Sequence, residues 1–112
     1  MTRVAAIDCG TNTIRLLIAE ADRDDFGRPR LEVLRRRNEI VRLGQGVDRT
    51  GLLDPEALER TLAAVASYAA DCTELGVAPG GDVRRFVATS ATRDARNRED
   101  FVAGVRRLLG IE

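Results

Sequence analysis

Two short apolar segments on either side of a polar turn open the chain. The first occupies residues 4–7 and the second residues 14–20, with Gly10 in the turn between them. Apolar runs of this length that are bounded by turn residues are typical of buried strands. The pattern therefore predicts a β-hairpin whose first strand lies inside a sheet, since a strand without polar positions is usually buried on both faces.

A third strand is predicted at residues 31–43, where apolar side chains alternate loosely with arginines. A polar turn at residues 22–30, which contains Gly27 and Pro29, separates it from the second strand. Because short turns join antiparallel neighbours, the first three strands are expected to form an antiparallel meander.

The next segment has the pattern of an amphipathic helix. It begins at Asp54, whose side chain is a good N-cap acceptor, with Pro55 in the first helical position, and it ends before Gly76. Tyr68 lies off the apolar stripe of this helix. The stripe is formed by residues three or four positions apart: Leu58, Leu62, Val65, Ala69 and Cys72.

The last part of the chain predicts a fourth strand at residues 83–89 and a second helix that begins at Asn97 and ends near Gly110. Asn97 is expected to cap this helix, with the acidic Asp100 three residues later. A helical crossover places the fourth strand parallel to one of the first three. The predicted fold is α/β: a mixed sheet with three antiparallel strands, a helix, a parallel strand and a helix.

Charge and hydropathy argue against two classes of binding partner, nucleic acids and membranes. Eighteen basic side chains balance eighteen acidic ones, so the formal net charge is zero. Such a chain has no net positive field that would favour DNA, RNA or an anionic membrane surface. Its apolar stretches are also far shorter than the ~20 residues that span a bilayer. We therefore expect neither nucleic acid nor a membrane as a partner.

Histidine is absent, and Cys9 and Cys72 are the two cysteines. Two distant cysteines do not form a disulfide framework, and the N-terminus lacks the pattern of a signal peptide. We expect a cytoplasmic protein in which Cys9 is a small buried residue. Without histidine, catalysis by this chain has to use carboxylates, hydroxyl groups, arginines, the backbone or a bound ion.

The turn between the first two strands carries the most specific chemical pattern in the chain. Asp8 ends the first apolar run, and Gly10, Thr11, Asn12 and Thr13 follow. Glycine lets the backbone approach a phosphate closely, and N–H, hydroxyl and amide groups can donate hydrogen bonds to it. Asp8 would hold a hydrated Mg²⁺ or orient a water molecule. The alternative is a tight hairpin in which Asp8 and Asn12 only satisfy the turn backbone.

A second candidate site lies in residues 89–97, at the end of the predicted fourth strand. If this strand is parallel to the first, the start of the segment lies beside the first turn. The planar guanidinium of Arg93 would then be placed to grip a phosphate. The alternative is a loop arginine that pairs with Asp94 or Asp100.

Glycines also recur in residues 43–51. This segment lacks the Lys-Ser ending of a P-loop and does not lead from a strand into a helix at the spacing of a nucleotide-binding loop. It is predicted to be a flexible connection before Asp54.

Three stretches of the sequence resemble motifs of known proteins. Residues 8–13 resemble the phosphate-binding hairpin of the superfamily that contains actin, heat-shock chaperones and sugar kinases. Residues 41–57 resemble the segment between the third strand and the helix in the exopolyphosphatase and guanosine pentaphosphate phosphatase (Ppx/GppA) family, and residues 87–97 resemble the next motif of that family. The resemblance covers essentially the whole chain.

The resemblance implies an actin-like ATPase (ribonuclease H-like) fold and Mg²⁺-dependent hydrolysis of a terminal phosphoanhydride in inorganic polyphosphate or guanosine pentaphosphate. By this resemblance Asp8 would serve the metal and the attacking water, and Arg93 would grip the phosphate chain. A homodimer of the full-length protein is a further expectation. The phosphate itself would be held by the turn, with Asn12 as a direct ligand: Gly10, Thr11, Asn12 and Thr13.

Members of this family contain two actin-like domains, and residues 1–112 resemble the N-terminal portion of the first. The glutamate expected as the catalytic base and the second glycine-rich loop are not in this chain, because Glu112 precedes the strand that the glutamate should follow. We therefore expect the 112 residues alone to be inactive. Two alternatives stay open: a sugar kinase-type ATP-binding domain of the same superfamily, and a non-catalytic module that senses phosphate or nucleotide.

Overall fold

Within the residues that the structure describes, four strands form one mixed sheet, and two long helices cover it on one side. The computed structural model describes residues 2–88, 92 and 95–111. The sheet order is β3-β2-β1-β4, in which β1 pairs antiparallel with β2 and parallel with β4. The elements in chain order are β1 (Thr2–Cys9), β2 (Thr13–Arg23), β3 (Pro29–Ile40), α1 (Val47–Thr50), α2 (Pro55–Glu74), β4 (Arg84–Ala88) and α3 (Arg98–Leu109).

The predicted antiparallel meander and parallel fourth strand are confirmed, and β1 lies inside the sheet as expected. The turn between β2 and β3 is shorter than the predicted residues 22–30. Asp24 Oδ1 accepts the N–H groups of Phe26 and Arg28, each at 2.9 Å, which closes a tight turn. Beyond it, the Arg30 guanidinium binds the Asp22 carboxylate through two bonds of 2.9 and 2.8 Å, so both residues belong to the strands.

β1 alternates between the two faces of the sheet. Ala5, Ile7 and Cys9 are buried, whereas Ala6 and Asp8 are exposed on the opposite face. The strand is central in the sheet, as predicted, yet only one of its faces is covered among the described residues, because α2 and α3 both pack on the face that holds Ile7. Asp8 is therefore part of the strand rather than the first residue after it.

The core lies between the sheet and the two long helices. Phe101 of α3 packs on Phe86 of β4, with ring centroids 5.8 Å apart. The helices approach closely where Gly104 faces Leu62, since an added Cβ at Gly104 would lie 2.9 Å from a Leu62 methyl carbon. The fully buried large side chains include Ile7, Ile14, Ile18, Val65, Tyr68, Phe101 and Leu109.

The start of α2 is confirmed, whereas its buried face is rotated from the predicted stripe. Asp54 Oδ2 accepts the Ala57 N–H at 3.1 Å and caps the helix. Tyr68, predicted to lie off the apolar stripe, is fully buried. Its hydroxyl donates to the Ile14 carbonyl oxygen at 3.1 Å and lies against the Glu39 carboxylate. The hydroxyl thus satisfies polar groups at the sheet, which lets a tyrosine occupy the core.

No helix in the described ranges combines the length and the apolar character that a membrane span requires.

Candidate phosphate-binding site

The first candidate site is the turn between β1 and β2, residues 10–12. The Gly10 N–H donates to the Thr13 carbonyl oxygen at 2.9 Å and closes the turn. Thr11 and Asn12 are exposed, and Gly10 and Thr13 are half-buried. An added Cβ at Gly10 would lie 3.2 Å from the Thr13 carbonyl oxygen, so a larger residue would be tightly packed there. The turn presents its two central side chains to solvent, as a phosphate-binding turn requires.

A second segment, residues 41–44, supports this turn; we call it the supporting segment. The N–H groups of Val41 and Arg42 both donate to the Asn12 carbonyl oxygen, at 2.8 and 2.9 Å. The Gly44 N–H donates to the Thr11 carbonyl oxygen at 2.9 Å. The carbonyl groups of the two exposed turn residues are therefore engaged by protein, while the side chain of Asn12 stays exposed.

The prediction of a flexible connection at residues 43–51 is wrong, because these residues form an ordered turn and α1. Gly46 and Gly51 flank α1 in the left-handed conformation, with φ of 74° and 70°, which favours glycine at both positions. Arg60 of α2 donates to the Val41 carbonyl oxygen at 3.1 Å and so fastens the supporting segment to the helix. Glycines that permit a specific sharp turn look the same in a sequence as glycines that permit flexibility.

Asp8 lies on the open face of the sheet, close to the turn. It is opposite Arg15 on β2 and Val87 on β4, and Arg15 is in turn opposite Asn38 on β3. Within the described ranges, the Asp8 carboxylate takes part in none of the ion pairs. Asp8 and Thr13 line an open depression of about 690 Å³, so the structure brings two of the predicted site residues together.

Arginines that the sequence analysis did not name as site residues line the same depression. Arg15, Arg36 and Arg37 share it with Asp8 and Asn38. By the strand register, Arg15 and Arg36 lie on the same face of the sheet as Asp8. Their guanidinium groups give this part of the open face a positive potential that favours an anion. The alternation of β2 places Arg15 on the same side as Asp8 once the strand register is known, but the register of Arg36 on β3 is not encoded in any local pattern.

The residues of this site fit the chemistry of a magnesium ion, for which the Asp8 carboxylate would be the ligand. Among the described residues, no group of three acidic, cysteine or histidine side chains forms a dedicated metal cage. Mg²⁺ is commonly bound by one or two carboxylates, with water and substrate phosphates as the other ligands. An exposed Asp8 beside the candidate phosphate-binding turn has the chemistry for that mode of binding.

Cys9 is fully buried, as predicted, on the face opposite Asp8. Burial, and to a lesser extent the charge of Asp8, raises the pKa of the Cys9 thiol to about 12. Since the thiolate is the nucleophilic form of cysteine, this residue does not act as a nucleophile at neutral pH.

Of the second candidate site, residues 89–97, the structure describes residues 92 and 95–97. Arg93, the predicted phosphate-gripping residue, lies outside the described residues, and so does Asp94. Ala88, the last residue of β4, is the register partner of Cys9. The expected parallel arrangement, in which this strand ends beside the first turn, is therefore confirmed.

Asn97 precedes α3, but its side chain does not cap the helix. Instead, its amide accepts the Leu53 N–H at 2.8 Å and donates to the Leu53 carbonyl oxygen at 3.1 Å. Arg96 donates to the Thr50 carbonyl oxygen at 2.7 Å, and its N–H donates to the Gly51 carbonyl oxygen at 2.9 Å. The predicted cap is wrong because this amide pairs with the backbone that leads into α2.

Comparison with known proteins agrees with these motifs. The sequence profile of the Ppx/GppA phosphatase family matches residues 17–112. An exopolyphosphatase 2 from Mycobacterium tuberculosis is 50% identical over 110 residues, which cover 98% of this chain and 33% of that protein. The chain thus spans about a third of the length of this curated relative.

Solved structures give the same result. An exopolyphosphatase-like protein superimposes with a TM-score of 0.84 at 45% identity, covering 99% of this chain and 31% of that one. The Ppx/GppA family member from Aquifex aeolicus has a TM-score of 0.81 at 34% identity, covering 99% and 34%. These neighbours have an actin-like ATPase fold, which confirms the expected fold. With a family match over most of its length, the chain belongs to the Ppx/GppA phosphatase family.

Proposed function

We propose that the protein containing this chain hydrolyses the terminal phosphoanhydride bond of inorganic polyphosphate and releases orthophosphate. The observation that carries this proposal is the solvent-facing turn of residues 10–13 beside Asp8, in a chain of the Ppx/GppA family. The relative named exopolyphosphatase favours polyphosphate over guanosine pentaphosphate as the substrate. The 112 residues then form the N-terminal portion of the first of two actin-like domains.

Hydrolysis requires a water oxygen to attack the terminal phosphorus while the bond to the bridging oxygen breaks. In the transition state, negative charge is spread over the phosphoryl oxygens, so positioned donors and cations supply most of the catalysis. The turn and the Asn12 amide donate hydrogen bonds to these oxygens, and Arg93 contributes a bidentate cation. Mg²⁺, when bound, neutralises phosphoryl charge, and Asp8 is the residue of this chain that would hold it and orient the water.

Phosphate release from polyphosphate by the whole protein tests the proposal. The wild type is expected to be active with Mg²⁺, and Asp8→Asn is expected to lose at least ~10²-fold, as is typical when a transition-state stabilising group is removed. Asp25→Asn is the matched control, because Asp25 is exposed in the far hairpin turn between β2 and β3. Absence of phosphate release from polyphosphate would contradict the proposal, and release from guanosine pentaphosphate alone would change the substrate.

The 112 residues alone are expected to release no phosphate, since the catalytic glutamate is expected outside them. Mg²⁺-dependent phosphate release by the purified fragment would show that the base lies within this chain. ATP consumption with a polyol acceptor would instead favour a sugar kinase, and binding of pyrophosphate by an inactive whole protein would favour a sensing module.

A further inference from the structure

We propose that Gly44 is a positioning residue of the phosphate site. It allows the supporting segment to pack against Thr11 closely enough to set the shape of the turn that receives the phosphate. This inference rests on the proposed function, because the shape of the turn matters to activity only if the turn binds a phosphate.

The contact between Gly44 and Thr11 leaves no room for a side chain. A Cβ added at Gly44 would lie 2.3 Å from Thr11 Cγ2, a distance that real Cβ atoms essentially never show. The other nearby atoms, the Thr11 Cβ and carbonyl oxygen, would both be 3.6 Å away, which is ordinary contact. Gly44 is not among the residues with positive φ, unlike Gly46 and Gly51. Space, and not backbone conformation, therefore requires glycine at this position.

The supporting segment is held from its other side by hydrogen bonds, which oppose movement away from a clash. Arg60 of α2 donates to the Val41 carbonyl oxygen at 3.1 Å and to Gln45 Oε1 at 3.2 Å. Arg42 has a φ of 52°, a conformation unfavourable for a residue with a Cβ, and its N–H is bonded to the Asn12 carbonyl oxygen. A side chain at residue 44 would therefore displace Thr11, either by rotating its side chain, which also moves the predicted phosphate-binding hydroxyl, or by shifting the turn.

The displacement acts directly on the proposed phosphate ligands. Gly44 bonds the carbonyl group of Thr11, and the next residue along the turn is Asn12, the expected direct ligand. Relief of the 2.3 Å contact requires the Thr11 methyl group to move on the order of 1 Å, by rotation of the side chain or with the turn, and misplacement of a binding group by that amount is enough to cost about 10²-fold in rate.

Gly44→Ala in the whole protein is the first test. We expect phosphate release from polyphosphate to fall by about 10²-fold. Gly81→Ala is the matched control, because an added Cβ at Gly81 has no atom within 4 Å and Gly81 has no positive φ. This control is expected to keep the wild-type rate. A Gly44→Ala variant that also keeps the wild-type rate overturns the proposal.

A rescue experiment separates positioning from a general loss of stability. The clash involves Thr11 Cγ2, a methyl group that serine lacks. The effect of Gly44→Ala is therefore measured in two backgrounds, the wild type and Thr11→Ser. We expect the loss caused by Gly44→Ala to be on the order of 10-fold smaller in the Thr11→Ser background. Equal losses in the two backgrounds overturn the proposal. If the Gly44→Ala variant does not fold, the proposal requires that the double variant Gly44→Ala, Thr11→Ser folds. A double variant that also fails to fold overturns the proposal.

Amide hydrogen exchange gives a measurement that does not depend on phosphatase activity. Gly44→Ala is expected to raise the exchange rates of the backbone N–H groups of residues 41, 42 and 44 at least about 10-fold. Adding Thr11→Ser to this variant is expected to restore the wild-type rates. Unchanged exchange in Gly44→Ala overturns the inference. If the wild type releases no phosphate from any substrate, the proposed function fails. The exchange rates of Gly44→Ala and of the double variant, together with titration of both with inorganic pyrophosphate, still show whether Gly44 sets the shape of the turn.

Discussion

Asp8 and Cys9 are neighbours in β1, yet they face opposite sides of the sheet. Cys9 lies among the apolar side chains beneath the two long helices, whereas Asp8 faces an open depression beside two arginines. The side chains of a strand alternate between faces, so one strand can serve the core and the candidate site at adjacent positions. Substitutions on the covered face are therefore expected to change stability, and those on the open face to change chemistry.

The largest effect is expected from Phe101→Ala on the covered face. Phe101 is fully buried against Phe86, so its removal leaves a cavity and should lower the free energy of unfolding by about 3–5 kcal/mol. Phe26→Ala is the matched control, because Phe26 is 82% exposed and should change stability by less than ~0.5 kcal/mol. Urea denaturation of the whole protein measures both, and similar losses in the two variants would contradict the assignment of the core.

Asn12→Ala is the corresponding test of the open face. The Asn12 side chain is exposed, so the free energy of unfolding should change by less than ~0.5 kcal/mol. If Asn12 donates to phosphoryl oxygens, phosphate release should fall by about 10²-fold, equivalent to roughly 2.7 kcal/mol of transition-state stabilisation. Parallel activity and denaturation measurements check this separation, and a near-normal rate removes Asn12 from the mechanism.

The effect of Asn97→Ala on stability can be compared with that of Asn12→Ala. The Asn97 amide makes two hydrogen bonds to the backbone of Leu53, so its loss leaves partly buried polar groups unsatisfied. The expected cost is about 1–3 kcal/mol of stability. A stability loss from Asn12→Ala as large as that from Asn97→Ala would show that the first turn is also a structural contact.

The order of the elements could be predicted from the sequence because their signals are local. The Asp54 cap and Pro55 begin α2 as expected, and the turn residues separate the strands. The parallel pairing of β1 with β4 follows from the helical crossover, which leaves few other topologies. Asp8 and Asn12 could be named as candidates from the type and spacing of their side chains, and the structure places both where solvent reaches them.

Contacts between distant segments could not be predicted in the same way. Arg15 and Arg36 join the depression only through the register of three strands, and Asn97 bonds a residue 44 positions away. The need for glycine at residue 44 depends on a methyl group of Thr11. Each of these features depends on tertiary packing, which neither propensity nor periodicity reports.

The smallest effect that the two faces predict is a pH dependence linked to Cys9. Its pKa is about 12 in the folded protein, mainly because of burial and secondarily because of the charge of Asp8, against 9.0 for a free thiol. Well below pH 9 the Cys9 thiol keeps its proton in both the folded and the unfolded chain. Between these values the unfolded chain loses it while the folded chain keeps it, so the free energy of unfolding should fall by up to about 1.4 kcal/mol per pH unit.

Urea denaturation at pH 8, 9 and 10 measures this slope, and Cys9→Ala is expected to make it shallower. The comparison has to be made between variants, because burial also raises the pKa of Tyr68 and Cys72 and these groups add slopes of the same sign. Asp8→Asn should lower the pKa of Cys9 in the folded protein. The pH range in which Cys9 contributes to the slope would then end at a lower pH. Identical slopes in the wild type and Cys9→Ala would show that Cys9 ionises equally in the folded and unfolded states, and hence that water reaches the Cys9 thiol on the covered face.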